Sequence, residues 1–166
     1  MYEIIIAAVL FVDAFVLFVL GAETLGYGKV KTAGIATFIG GFFQLINGLI
    51  LIFLLNNAYD GFLVWIFAIT FLYAGYIFAK EMTTDALASA LGMLGIFVAY
   101  YFVDMALAGY QVWLILMGSY IILYAIFVAF LNEKVSAKLT GWYAIAVSIL
   151  TCLVPGMYYL SGNSFH

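Results

Sequence analysis

Residues 113–124 read WLILMGSYIILY, and this stretch decides the fold. Its large polarisable side chains recur at steps of four, three and four residues, at Trp113, Met117, Tyr120 and Tyr124. Side chains at this spacing share one stripe of a helix. The other faces carry mainly leucine and isoleucine, and a helix that is apolar on every side is typical of a buried or membrane-spanning segment. The stretch therefore predicts a membrane helix with an aromatic stripe.

The composition of the whole chain extends this prediction. Hydrophobic residues make up 69% of the 166 residues and charged residues only 8%. Soluble domains average about 25% charged residues, so this chain could not cover its surface in water. The apolar runs last roughly twenty residues, as membrane helices require, and do not alternate with polar residues as barrel strands do. The predicted class is an all-α integral membrane protein.

Apolar runs separated by short polar connections predict a six-transmembrane-helix bundle. The predicted spans are residues 4–22, 33–55, 61–79, 86–103, 110–131 and 141–160. The connections leave no room for a domain outside the membrane. We therefore expect one domain over residues 1–166.

Lysine alone determines the predicted orientation, because the chain contains no arginine. The lysines fall between spans one and two, three and four, and five and six, at Lys29, Lys31, Lys80, Lys134 and Lys138. All of them therefore lie on one side of the membrane, which the positive-inside rule assigns to the cytoplasm. The sequence predicts a multi-pass membrane protein with both termini outside.

Polar side chains within the spans are the candidates for a functional site, because they are costly in hydrocarbon. Asp13 lies about ten residues into the first span. It could line a passage or relay protons, or it could bond a hydroxyl or amide of another helix. Gln44 and Asn47 share one face of the second span and could contact a solute. The commoner role of such amides is to hold helices together.

A second aromatic cluster, residues 70–75, lies in the third span. Its Tyr73, like Tyr120 and Tyr124 of the fifth span, lies deeper than the tyrosines that anchor spans at the interface. One interpretation is that the two clusters face each other across a narrow passage for a small, planar, uncharged polar solute. Packing in the core explains these tyrosines equally well.

Several functional classes are excluded by what the sequence lacks. No span contains lysine, arginine or histidine, the only histidine is His166, and the only cysteine is Cys152. This argues against a retinal Schiff base, a voltage sensor, a haem or metal site and a nucleophilic enzyme. The net charge of −3 argues against a nucleic-acid partner. We predict no cofactor, no metal site and no enzymatic activity, and passive transport requires none of these.

Several sequence pieces, in their order and spacing, resemble the AmiS/UreI family of urea and short-chain amide channels. They are residues 38–41 (FIGG) followed by Asn47, residues 70–74 (TFLYA), the aromatic stripe of span five, and residues 142–155. The resemblance implies a six-helix protomer with its own pore, assembled as a homohexamer in the inner membrane with lipid in its centre. It also implies passive conduction of urea or small amides, such as acetamide or formamide, to a cytoplasmic urease or amidase.

The resemblance assigns pore positions in spans one, three and five. They are Val9, Val16, Tyr73, Trp113, Met117, Tyr120, Leu123 and Tyr124. The polar residues Asp13 and Asn47 complete the predicted set. Asp13 stands where the family's urea channels carry a glycine and Val147 where they carry a glutamate, while Met117, Tyr120 and Tyr124 stand at tryptophan positions. The preference between urea and an amide is therefore left open.

The connection between spans two and three, residues 56–60, contains no histidine. The acid-gated members of the family carry a histidine there, so we predict no acid gate of that type. Two other functions stay open. One is a proton-coupled transporter that uses Asp13, with Glu23 as a relay, and the other is a scaffold protein that transports nothing.

Overall fold

The computed structural model describes residues 1–163, and within them all regular structure is helical. The elements are α1 (Tyr2–Thr24), α2 (Val30–Leu49), a first π-helical segment (Ile50–Leu54), α3 (Ala58–Ala79), α4 (Asp85–Ala108), α5 (Gln111–Leu131), α6 (Ala137–Val147), a second π-helical segment (Ser148–Leu153) and α7 (Val154–Leu160). They form six crossings that are long and apolar enough to span a membrane. The predicted all-α, six-helix fold is confirmed.

The helices extend beyond the predicted apolar spans wherever a capping residue sets their ends. The Asn57 side chain accepts a hydrogen bond from the Asp60 backbone N–H at the start of α3, and Ser136 caps α6 in the same way. Helix α4 continues to Ala108 and ends at Gly109, which adopts the left-handed conformation with φ of 79°. Hydropathy reports the hydrocarbon thickness, whereas caps set the starts of α3 and α6 and the end of α4.

The six crossings form a ring in chain order. Each crossing packs against its neighbour in the chain, and α6 packs back against α1. The alternating directions place every lysine-bearing connection at one end of the ring and Met1 at the other. We call these the lysine end and the lysine-free end.

Glycines bring α2 and α3 into close backbone contact. A Cβ added at Gly75 would lie 2.7 Å from the Phe38 Cα atom, and one at Gly41 would lie 2.6 Å from the Leu72 backbone nitrogen. Such approaches are possible only without side chains at these positions. The small residues of α4 are different, since a Cβ at Gly92 would meet nothing within 4 Å. The glycines of α2 and α3 therefore fix the rotation of α3 about its axis.

This contact yields a stability prediction. The Gly75→Ala substitution should lower the free energy of unfolding by about 3 kcal/mol, because the backbone of α2 cannot move away from the new methyl group. Gly92→Ala is the matched control and should change the free energy of unfolding by less than about 1 kcal/mol. Unfolding of the purified protein in mixed detergent micelles, followed by circular dichroism, measures both. Equal effects of the two substitutions would contradict the packing described for α2 and α3.

Candidate functional site

A wide cavity opens at each end of the ring. The lysine-free vestibule has a volume of about 390 Å³ and is lined by residues that include Glu3, Asn57, Asp60, Asp104, Tyr110 and Trp113. The lysine-end vestibule has a volume of about 640 Å³ and is lined by residues that include Leu20, Glu23, Phe78, Glu81, Phe127 and Glu133. Each rim carries three carboxylates. Both vestibules are large and polar enough to admit hydrated solutes.

Two small chambers lie between the vestibules. The aspartate chamber, of about 30 Å³, is lined by residues that include Val9, Asp13, Leu63, Phe67, Met117 and Tyr120. The phenylalanine chamber, of about 40 Å³, is lined by residues that include Phe67, Thr70, Phe71, Tyr120, Leu123 and Tyr124. One buried water needs roughly 10–15 Å³ of such space, so each chamber has room for only a few water molecules.

Consecutive cavities share wall residues, so the four form a continuous series through one protomer. Asp60 and Trp113 line both the lysine-free vestibule and the aspartate chamber. Phe67 and Tyr120 line both chambers. The phenylalanine chamber and the lysine-end vestibule share four residues, Leu20, Phe78, Phe127 and Leu131. We refer to this arrangement as the cavity series.

A shared wall separates the two chambers. Phe67 of α3 and Tyr120 of α5 meet there with ring centroids 4.6 Å apart and ring planes inclined by 48°. Both side chains are buried. Two aromatic rings, one from α3 and one from α5, thus separate the two chambers in the middle of the cavity series.

Asp13 is the buried carboxyl group of the aspartate chamber, and both its oxygens accept hydrogen bonds. The Gln44 Nε2 atom donates to Asp13 Oδ1 over 2.5 Å and to the Val9 carbonyl over 2.9 Å. The Tyr120 hydroxyl donates to Asp13 Oδ2 over 3.1 Å. Asn47 Nδ2 donates to Gln44 Oε1 over 3.2 Å. Asp13 therefore both lines the chamber and bonds two other helices.

The hydroxyl groups of the two α5 tyrosines have further partners. The Tyr120 hydroxyl lies 2.9 Å from the Cys152 Sγ atom in the second π-helical segment. The Tyr124 hydroxyl lies 2.6 Å from Thr70 Oγ1, which also donates to the Ile66 carbonyl over 2.9 Å. π-Helical turns are frequent at functional sites. Hydrogen bonds therefore hold both tyrosine side chains in place along the cavity series.

A model of the AmiS/UreI family, described as a transporter family, matches residues 5–163. The chain belongs to the AmiS/UreI family. The resemblance noted in the sequence is thereby confirmed, and the family is one of transporters rather than enzymes. No curated protein sequence matches the chain significantly.

Two solved structures of a urea channel from the human gastric pathogen Helicobacter pylori share the fold of this AmiS/UreI protein. The cryo-EM structure of the closed state superposes with a TM-score of 0.80 at 18% identity, covering 95% of this chain and 99% of the other. The crystal structure superposes with a TM-score of 0.76 at 19% identity, covering 93% and 97%. At these identities the similarity concerns the fold alone.

Most of the predicted site residues of this family member line the cavity series. They are Val9, Asp13, Trp113, Met117, Tyr120, Leu123 and Tyr124. Val16 is fully buried instead against α2, where a Cβ at Gly40 would collide with it. Asn47 is half-buried and reaches the aspartate chamber only indirectly, through Gln44.

Tyr73 was predicted to face Tyr120 and Tyr124, but the structure places it on a different side of α3. It is 36% exposed on the outside of the ring and lines none of the four cavities. Ile69, Tyr73 and Tyr76 form an outward stripe, while Thr70 and its neighbours Phe71 and Ala74 face inward. The rotation of α3, set by its glycine contacts with α2, is the physical reason.

Two wall residues, Phe67 and Asp60, were not predicted from the sequence. Phe67 and Phe71 are four residues apart on the inward face of α3, and this spacing was the available signal. The sequence places Asp60 in a connection, whereas in the structure it lies in the first turn of α3 and its side chain accepts hydrogen bonds from Tyr2 and Asn57. Gln44 was interpreted as joining helices, and its bonds to α1 are of that kind.

Cysteine labelling tests the placement of the tyrosines. Cys152 is buried behind Tyr120, so N-ethylmaleimide should modify it slowly in the folded protein. Tyr120→Ala should open the chamber and raise the labelling rate by roughly tenfold or more. Tyr73→Ala is the matched control on the outer face and should leave the rate unchanged. Mass spectrometry of samples quenched over time gives the rates. Rapid labelling of the unsubstituted protein would contradict this geometry.

Proposed function

We propose that this chain is a passive membrane channel for urea or small amides such as formamide and acetamide. The observation that carries the proposal is the cavity series, which joins two polar vestibules through a narrow aromatic middle. Membership of a transporter family and the fold shared with solved urea channels also support it. A route of this kind within one protomer conducts solute down its gradient without an energy source.

The walls of the chambers favour a small neutral solute over an ion. The phenylalanine chamber has no charged side chain in its wall and offers the hydroxyl groups of Thr70, Tyr120 and Tyr124. An ion would lose its hydration there at a cost of several kcal/mol or more. A neutral amide loses hydrogen bonds worth about 1 kcal/mol each, and the hydroxyl groups replace some of them. Its planar shape suits the space beside the Phe67 and Tyr120 rings.

Asp13 keeps one alternative open, a proton-coupled transporter. Its carboxyl group lines the aspartate chamber, and Glu23, the predicted relay, lines the lysine-end vestibule. The phenylalanine chamber, whose wall contains no carboxyl group, lies between these two residues. A relay would therefore have to cross an apolar segment, so the cavity series favours the passive channel.

Stopped-flow shrinkage and reswelling of proteoliposomes tests the channel directly. Urea, formamide and acetamide should permeate roughly tenfold faster than in empty liposomes, with no effect of an uncoupler. Leu123→Phe should slow urea several-fold because it fills the phenylalanine chamber, whereas Ile122→Phe, on the exposed neighbouring face, should not. Amide rates equal to those of empty liposomes would support the scaffold function instead. Uphill accumulation that an uncoupler abolishes would support the proton-coupled transporter.

We also propose that no outer-loop histidine gates the channel. The connection between the first π-helical segment and α3 consists of residues 55–57 and contains no histidine. The titratable side chains that line the adjoining vestibule are carboxyl groups and tyrosines, among them Glu3, Asp60, Asp104 and Tyr59.

In the Asp13→Asn variant, urea flux should therefore change by less than about twofold when the external pH falls from about 7.5 to about 5. The same measurement on the unsubstituted protein then reports titration in the aspartate chamber separately from titration at the vestibule. A steep, histidine-like change in flux that persists in Asp13→Asn would contradict the proposal.

The remaining features of the proposal concern the cellular setting. The lysine end fits the cytoplasmic side of a prokaryotic inner membrane, with both termini outside. Broad exposed apolar faces, which include Phe38, Phe42, Phe53, Ile96 and Leu107, fit contact with lipid and with other protomers. Family resemblance supports a homohexamer and a functional link to a cytoplasmic urease or amidase.

A further inference from the structure

The aspartate chamber has one fully buried carboxyl group, Asp13. The other carboxyl group in its wall, Asp60, lies at the end shared with the lysine-free vestibule and is only partly buried. Around Asp13 its wall consists largely of aliphatic and sulfur-containing side chains, such as Val9, Leu63 and Met117. A carboxyl oxygen is therefore the strongest hydrogen-bond acceptor that a solute meets in the narrow middle. A polar group in such surroundings needs a partner, because an unpaired one is costly.

Gln44 fixes the position of that acceptor. Its Nε2 atom donates both to Asp13 Oδ1 and to the Val9 carbonyl, and its Oε1 atom accepts from Asn47. Gln44 is fully buried, so the amide has no freedom to follow a solute. Gln44 is a positioning residue, and Asp13 Oδ2 is the oxygen left with the weaker, longer bond to Tyr120.

Tyr120 can release Asp13 Oδ2 without losing all its partners. Its hydroxyl lies 3.1 Å from Oδ2 and 2.9 Å from Cys152 Sγ. An N–H group from a solute in the chamber can take the place of the hydroxyl at Oδ2, while the hydroxyl keeps its contact with Cys152. The exchange leaves no buried polar group unpaired, which is the condition for low-cost passage.

We infer that Asp13 is the specificity-determining residue of the cavity series, with Oδ2 accepting a solute N–H and thereby selecting solutes rich in N–H donors. The inference rests on the proposed channel function and extends it. Urea carries an NH2 group on both sides of its carbonyl, whereas acetamide has nearly the same size and carries one. Urea can therefore present a donor to Asp13 in either orientation, and the site favours urea over acetamide.

The permeability ratio of urea to acetamide in proteoliposomes, with empty-liposome rates subtracted, tests this inference. Asp13→Asn should lower the ratio by roughly fivefold, because a neutral amide oxygen accepts less strongly than a carboxylate. Gln44→Met should lower it less, since the acceptor persists but loses its support. Thr37→Val is the matched control: Thr37 is a fully buried α2 residue outside the cavity series, so the ratio should stay unchanged.

Tyr120→Phe provides the second arm and keeps the test valid if Asp13→Asn does not fold. Removing the hydroxyl group frees Oδ2 for the solute, so the ratio should rise. If Asp13 has only a structural role, the permeabilities of urea and acetamide should fall together in both variants and their ratio should not change. That result would overturn the inference. Absence of amide flux in the unsubstituted protein would instead overturn the channel function itself.

Discussion

The hydrogen bonds that Asp13 accepts from Gln44 and Tyr120 join three helices around the cavity series. They connect α1 to α2 on one side and to α5 on the other. In a membrane the helices gain little from hydrophobic burial against one another, so close packing and polar bonds determine which helices meet. The Asp13 bonds and the glycine contacts between α2 and α3 supply both kinds of interaction. The narrow middle of the cavity series follows from this arrangement.

The fold was predictable because the solvent is hydrocarbon. Runs of apolar residues and the five lysines are enough to predict the crossings and the end at which each connection lies. The aromatic stripe of α5 was also predictable, since Met117, Tyr120 and Tyr124 lie on one helical face and all are buried. These properties depend on local spacing, which a single sequence contains.

Which face of each crossing turns inward was less predictable. Tyr73 and Tyr124 occur in the same tripeptide, Leu-Tyr-Ala, yet one is on the outer surface and the other is buried. In a soluble protein, polarity would distinguish the two faces. Here lipid and protein core are equally apolar, so contacts with neighbouring helices, such as those of Gly75 and Gly41, set the rotation of α3. Such contacts, like the hydrogen bond between Gln44 and Asp13, depend on how two helices pack together, and the residue spacing within one helix does not predict them.

The ring of crossings in chain order has a consequence for synthesis. Each new helix finds its neighbour already in the membrane, and such local contacts form quickly. The contact between α1 and α6 is different, because it needs the last crossing to leave the ribosome. Until then the ring has an open side facing lipid, and the bond that Ser148 donates to the Ala14 carbonyl of α1 cannot form. A chain that lacks the last crossing is therefore expected to have no closed route through it.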